Sequence, residues 1–414
     1  MRSIGVVTVG RSDYGLYRPI LECIAADPGL ELVLIASGAG LAEAAGGTPE
    51  WVGADGFAIA ERVEMLLSSD TPEAIAKSMG LGVLGFAQLW GRWRPDWLLL
   101  LGDRFEMYAA GLAALPFQIP IAHIHGGELT EGAFDDVLRH SLTKLSHLHF
   151  VAHPAYAARV LQLGEEPWRV VVSGAPGLDQ IRTTAGLDRQ QFEQQFGLTL
   201  PDRFALVTFH PATLEAAQAE AQCGELLAAL NASGLAAVFT LPNADTNHRH
   251  IERLLAAYVA GAPECRIAPS LGSAGYFSLM RHAAVMVGNS SSGLLEAPSF
   301  ALPVVNVGTR QDGRVRAANV IDCGNGRAEI LQAMRRALAP SFRQALAGKP
   351  SPFGDGHAAE RIVAALGGVA LDARLLRKHF YDGPGGPPAS VGGGSHPGPV
   401  RVENLKGEMH GIGG

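Results

Sequence analysis

The 414-residue chain has a formal net charge of −7, with 47% hydrophobic and 18% charged residues, values that suit a globular protein of two domains. It has no Lys/Arg block for a nucleic-acid partner and no apolar run near a bilayer span. With no signal-peptide pattern at Met1 either, a cytoplasmic protein with no membrane partner is expected. Cys23, Cys223, Cys265 and Cys323 are scattered without a CxxC pair, which favours free thiols over a zinc site or a disulfide framework.

Short continuous apolar runs alternate with helical periods. Strands are expected at Ile4–Val9, Leu32–Ala36, Trp97–Leu101, Ile119–Ile124 and His149–Ala152. Helices are expected at Leu16–Ala26, Phe105–Leu115, Phe134–Leu145 and Pro154–Leu163. Strands without polar alternation, separated by helices, indicate a parallel sheet covered on both faces. A second series follows, with strands at Ala205–Phe209, Ala237–Leu241, Val285–Gly288 and Val304–Val307 and helices at Glu215–Leu230, His248–Ala260 and Ala328–Ala339. The fold class is α/β, two doubly wound Rossmann-like domains with a cleft between them. The expected divisions are 1–175, 176–365, a helix over 366–382 crossing back to the first domain, and a Gly/Pro-rich flexible tail over 383–414.

Open α/β sheets bind ligands beyond the carboxyl ends of their strands, so the loops there carry the candidate residues. GRSDYG places Arg11 before a helix, in position for an anion or as a plain loop arginine with Ser12 or Asp13 as cap. GDRFEM places Asp103 and Arg104 at the next strand end, where Asp103 is either a helix cap or a cleft acid. A strand-end GD also suggests a metal phosphoesterase, with His123 and His125 as ligands, but buried hydrogen-bonded histidines are the commoner case. In HGGELTEGAFDDVLRH, Gly126 and Gly127 permit close backbone approach and Glu128 follows on the loop. On the next helix Phe134, Val137, Leu138, Leu142 and Leu145 form one apolar stripe. Asp135 lies on the rim of that stripe and can pair with Arg139, whereas Asp136 points away. In the second series His210 ends a strand and can contact phosphate or move a proton. Ser290, Ser291 and Ser292 open a helix, which suits a diphosphate or is simply a cap. Glu296 falls outside a capping box built on Ser292, and Arg310, Arg314 and Arg316 add positive charge.

Together these segments resemble the UDP-N-acetylglucosamine 2-epimerases, most closely the hydrolysing branch that serves sialic- and legionaminic-acid-type sugar synthesis. The resemblance runs from VTVGRSDYGL to KHFYD and rests on LLLLGDRFEM, IAHIHGGELTEGAFDDVLRH, GAPGLDQI, TFHPATLE, LPNADT, VGNSSSGLLEAPSF and VNVGTRQDGR. It implies the GT-B fold, with catalytic carboxylates at Asp103, Glu128 and Asp135. The nucleotide and phosphate contacts fall on Arg11, Arg104, His210, Asn243, Ser290, Ser291, Glu296 and Arg310. His210 is counted with the catalytic set and Arg139 with the substrate-binding set. The non-hydrolysing branch reads HVEAG where this chain has HIHGGE, which favours hydrolysis.

The implied reaction eliminates the nucleoside diphosphate to give a 2-acetamidoglycal, which is then rehydrated to the free 2-epimer. The substrate is UDP-N-acetylglucosamine or a related UDP- or GDP-linked sugar such as UDP-N,N′-diacetylbacillosamine. No cofactor and no metal are expected, and the resemblance implies a homo-oligomer, dimer or tetramer. Three rivals share the cleft: a non-hydrolysing epimerase, a GT-B glycosyltransferase and a non-catalytic sugar-nucleotide sensor.

Overall fold

The computed structural model describes residues 1–41, 52–69, 71–131, 134–210, 218–240, 248–268 and 271–383. Its apolar runs build two parallel sheets. The first contains β1 (Arg2–Thr8), β2 (Leu30–Ser37), β3 (Ile59–Val63), β4 (Trp97–Leu101), β5 (Ile121–Ile124), β6 (Leu148–Val151) and β7 (Val170–Val172). Their spatial order is β3-β2-β1-β4-β5-β6-β7. The second contains β8 (Phe204–Thr208), β9 (Ala236–Thr240), β10 (Arg266–Ala268), β11 (Val285–Gly288), β12 (Val304–Val307) and β13 (Val320–Cys323), in the order β10-β9-β8-β11-β12-β13. This is the two-lobed GT-B arrangement expected from the sequence. Strand order reverses between β1 and β4 and again between β8 and β11, and at such switch points the loops part to leave a crevice.

Both faces of the sheets are covered, which is why the central strands lack polar alternation. In the second lobe, Ala205, Val207 and Phe209 enter one apolar cluster while Phe204 and Leu206 enter another on the opposite face. The outer strands β3, β7, β10 and β13 have no counterpart in the sequence-based strand set. β3 reads IAERV, with Glu61 and Arg62 interrupting the apolar run, because an edge strand keeps polar side chains in water. The Pro72–Arg92 helix starts on a Thr71 cap, whose hydroxyl accepts from the Ala74 amide at 3.3 Å.

The return to the first lobe begins earlier than the sequence division at 366. Helix Ala358–Gly368 packs against helix Arg11–Ala26, and Ala359, Ile362, Val363 and Leu366 complete the core of the first lobe. The Asp179 carboxylate caps that helix from a distance, accepting from the Ala358 and Ala359 amides at 3.0 and 2.7 Å. Farther on, only Ala373–Leu376 is helical, not the whole stretch to 382. Residues 373–378 are instead clasped by side chains. Arg169 donates to the carbonyls of Leu375, Arg374 and Arg377, and Lys378 reaches Glu165 at 2.8 Å. The expected tail from 384 onward lies outside the described residues.

Candidate active site

Three loops at the carboxyl ends of β1, β4 and β5 form one wall. After β1, Asp13 does not cap its helix; it turns back to accept from Thr8 Oγ1 at 2.7 Å and the Val9 amide at 3.0 Å. Burial pushes its carboxyl up to about 6. The side chains of Arg11 and Ser12 lie outside the described residues. After β4, the cap position belongs to Arg104, not Asp103. Arg104 forks onto the fully buried Glu106 at 2.9 and 3.2 Å, which leaves Asp103 turned towards Arg139.

The β5 loop carries the densest chemistry. His123 is fully buried, and its Nε2 donates to the Gly102 carbonyl at 2.7 Å. Burial lowers that imidazole to about 3, so it is a neutral structural histidine. His125 occupies left-handed backbone at φ 65, and its Nδ1 meets Glu128 Oε1 at 2.6 Å. Gly127 has φ 76, and a Cβ there would overlap the Tyr156 carbonyl, so only glycine fits. Glu128 is 5% exposed; burial favours its neutral form, but the facing His125 and then Arg139 outweigh this and hold the carboxyl down at about 2.

Helix Phe134–Leu145 closes this wall, turned differently from the sequence expectation. Leu138, Arg139, Leu142 and Thr143 are buried, whereas Phe134 and Val137 are 50% and 67% exposed. The stripe fails at its first turn because the inward face is anchored by Arg139. Its guanidinium donates to the His125 carbonyl at 2.9 Å, to Thr130 Oγ1 at 3.2 Å and to Asp103, and it faces Glu128 Oε2 at 4.0 Å. The expected Asp135–Arg139 ion pair is therefore replaced by Arg139–Asp103. Arg139 is only 4% exposed and gathers the acids around its guanidinium. Asp135 remains on the cleft rim, where burial and then the Asp103 charge push it up to about 6. Asp136 points away, as expected; it accepts from the Thr130 amide at 2.7 Å and pairs with His140.

The opposite wall comes from the switch point of the second sheet. His210 and Asn289 exchange two hydrogen bonds, His210 N to Asn289 Oδ1 at 2.7 Å and Asn289 Nδ2 to His210 O at 2.8 Å. Burial, then the Arg310 charge, lowers the His210 imidazole to about 3. Its buried Nδ1 has no partner among the described residues. Gly288 has φ 137, and any side chain there would strike the Thr208 carbonyl. After it come Ser290 and Ser291, with the Ser292 amide donating to Ser290 Oγ at 3.3 Å. The expected helix is short: Ser292–Leu295 passes into a 3₁₀ turn at Ala297–Phe300. A helix dipole thus adds little here, and amides and hydroxyls remain as the anion donors. Burial raises the Glu296 carboxyl, which also feels His125 and Glu128 across the cleft. Arg310 Nη1 and Gln311 Nε2 both donate to the Asn289 carbonyl, at 3.1 and 2.7 Å. Arg316 is turned aside to Asp322 and Asp312. Asn243 lies outside the described residues.

Four groups enter the site that the sequence reading did not single out for it. His125 appeared only as a possible metal ligand. The Tyr276 hydroxyl lies close to Ser292, Thr208, Ser290 and Glu296. Asn289 organises the His210 turn. Arg314 crosses between the lobes, donating to the Leu129 carbonyl at 3.0 Å and Thr130 Oγ1 at 3.3 Å. The arginine run had already marked Arg314 as charge, though not as a bridge. Among the described residues no group of three or more His, Cys, Asp or Glu side chains is set to hold a metal ion.

The site therefore pairs a carboxylate-rich wall with an amide-, hydroxyl- and arginine-rich one. Known proteins resemble this chain in sequence and in fold. A hydrolysing UDP-N,N′-diacetylbacillosamine 2-epimerase of Legionella pneumophila is 35% identical over 379 residues, covering 91% of this chain and 99% of its own. A hydrolysing GDP/UDP-N,N′-diacetylbacillosamine 2-epimerase of Campylobacter jejuni is 36% identical over 384 residues, covering 92% and 99%. The solved UDP-GlcNAc 2-epimerase of Neisseria meningitidis, bound to UDP-GlcNAc, shares the fold with a TM-score of 0.67 at 18% identity, covering 88% of this chain and 99% of its own. Residues 22–367, from the first helix to the last long one, match the UDP-N-acetylglucosamine 2-epimerase family, and to that family this chain belongs.

Proposed function

We propose that this chain is a hydrolysing 2-epimerase of a nucleotide-linked 2-acetamido sugar, releasing the free 2-epimer and a nucleoside diphosphate. The observation that carries the proposal is the gathering of Asp103, Glu128 and Arg139, with Asp135 beside them, opposite the Ser290–Glu296 segment. The nearly full-length relatives named for UDP- or GDP-N,N′-diacetylbacillosamine favour a diacetamido sugar, with UDP-N-acetylglucosamine as the simpler alternative.

The chemistry demands this division of labour. The C2–H bond is barely acidic until positive charge builds at C1, so departure of the diphosphate must run ahead of proton transfer. The C1–O bond breaks with its electron pair on the diphosphate, which the Ser290 and Ser291 turn, Arg310 and a neutral, hydrogen-bonding His210 receive. Carboxylate charge on the facing wall stabilises the oxocarbenium-like ring. The C2–H pair closes the C1=C2 double bond of the glycal. Water then adds at C1 while C2 takes a proton from the opposite face; Asp135, whose carboxyl is pushed up to about 6, is the acid for that step. The remaining proton of the water leaves to solvent.

The test is incubation in D₂O with UDP-N,N′-diacetylbacillosamine, its GDP counterpart and UDP-N-acetylglucosamine, without an acceptor, followed by NMR. Free sugar inverted and deuterated at C2, with stoichiometric nucleoside diphosphate, is expected from at least one. An epimerised sugar still attached to its nucleotide would instead mean a non-hydrolysing enzyme. No turnover without an acceptor would point to a glycosyltransferase.

A further inference from the structure

The carboxylate at Glu128 is poorly placed to exchange a proton with a ligand. One oxygen is taken by His125 Nδ1 and the other faces Arg139. A carboxylate can only accept, so the 2.6 Å contact places a proton on His125 Nδ1 and leaves Nε2 as the basic nitrogen. Nε2 has no hydrogen-bond partner among the described residues, unlike the nitrogen of His123 that bonds Gly102.

Everything else about His125 is pinned. Its amide donates to the Phe150 carbonyl at 3.0 Å, and its own carbonyl accepts from Arg139 at 2.9 Å. A non-glycine residue at φ 65 costs on the order of 1 kcal/mol or more, and such strain persists only where the surroundings enforce it. The charge of Glu296, from the other lobe, reaches this pair. The imidazole is thus held rigidly at the junction of the two walls.

Resting on the function proposed above, we infer that His125 is the catalytic base that takes the C2 proton through Nε2, and that Glu128 is a positioning residue behind it. In that step the C2–H bond breaks, its electron pair becomes the C1=C2 bond, and the proton ends on Nε2. The diphosphate carries away the electron pair of the C1–O bond. The imidazolium so formed is stabilised by the Glu128 carboxylate and returns its proton to solvent after turnover.

The left-handed backbone at position 125 provides the test, because glycine is at ease there. His125→Gly should bind UDP within about threefold of the wild type and lose turnover on the order of a thousandfold, with partial rescue by added imidazole. Glu128→Gln should lose less, on the order of tenfold to a hundredfold in kcat with KM nearly unchanged, and the double variant should be no worse than His125→Gly. Should His125→Gly fail to bind UDP, His125→Asn, which also tolerates this backbone, takes its place in the comparison. Turnover within tenfold of wild type in the His125 variant overturns the inference. So do losses that multiply in the double variant, which would make Glu128 an independent acid or base. Wild-type protein inert on every nucleotide sugar would bring down the proposed function itself, and this inference with it.

Discussion

Asp135 and Glu128 are neighbours with opposite electrostatic fates, and the difference separates their roles. Asp135 is pushed up to about 6 by burial and the Asp103 charge, while Glu128 is held at about 2 against His125 and Arg139. In its proposed role as the acid for C2, Asp135 must hold its proton, so kcat/KM is expected to fall as pH rises through about 6. In Asp135→Asn that limb should vanish from the pH profile, with turnover lower on the order of a hundredfold. His210, near 3, stays neutral through the physiological range and offers hydrogen bonds without charge. His210→Ala should weaken UDP binding on the order of tenfold in calorimetry, by about the same factor at pH 6 and pH 8. Where these residues lie was legible beforehand: the helical angle separated Asp135 from Asp136, and strand ends located Asp103 and His210. The Arg139–Asp103 contact was not, because sequence spacing reveals neighbours on one helix but not a partner brought in by another strand.

Among the elements, the continuous apolar strands were readable because burial on both sides removes alternation. The edge strands were not, since Glu61 and Arg62 interrupt the apolar run of β3 and Asp322 that of β13. Helix Phe134–Leu145 shows the limit of counting apolar positions: a buried arginine with four partners set its rotation, leaving Phe134 and Val137 outside. The loop before it depends on Gly127. Gly127→Ala should shift the loop, cost about 1–3 kcal/mol in thermal unfolding and reduce turnover, because the Tyr156 carbonyl leaves no room. The segment after Leu375 depends on Glu165, whose carboxyl meets His149 at 3.0 Å, Lys144 at 2.6 Å and Lys378 at 2.8 Å. Burial works against its charge, but these partners hold it at about 2, below the ordinary 4.5. Its stabilisation is therefore complete above about 4.5 and is lost as pH falls towards 2. Glu165→Gln should lower stability by on the order of 3 kcal/mol at pH 7, with a much smaller deficit near pH 2. Hydrogen exchange over 373–381 at both pH values will show whether the clasp opens.

At the scale of the molecule, the proposed reaction needs both walls at once, and Arg314 joins them directly. It belongs to the second lobe yet donates to Leu129 and Thr130 in the loop after β5. Arg314→Ala should leave UDP affinity within about threefold but lower kcat on the order of tenfold, since misplacement of the walls harms chemistry more than nucleotide capture. Two-lobed architecture could be read from the repeated strand–helix pattern; the exact seam could not, because chain order does not say where the polypeptide doubles back. That doubling has a consequence for biosynthesis. Ile362, Leu366 and Leu375 line the interior of the N-terminal half, and Arg2 and Trp97 donate to the Leu366 carbonyl at 2.8 and 3.2 Å. On the ribosome the first lobe must therefore wait until Leu375 has emerged before it can be sealed, long after its own strands are made, while the second lobe can assemble without that delay.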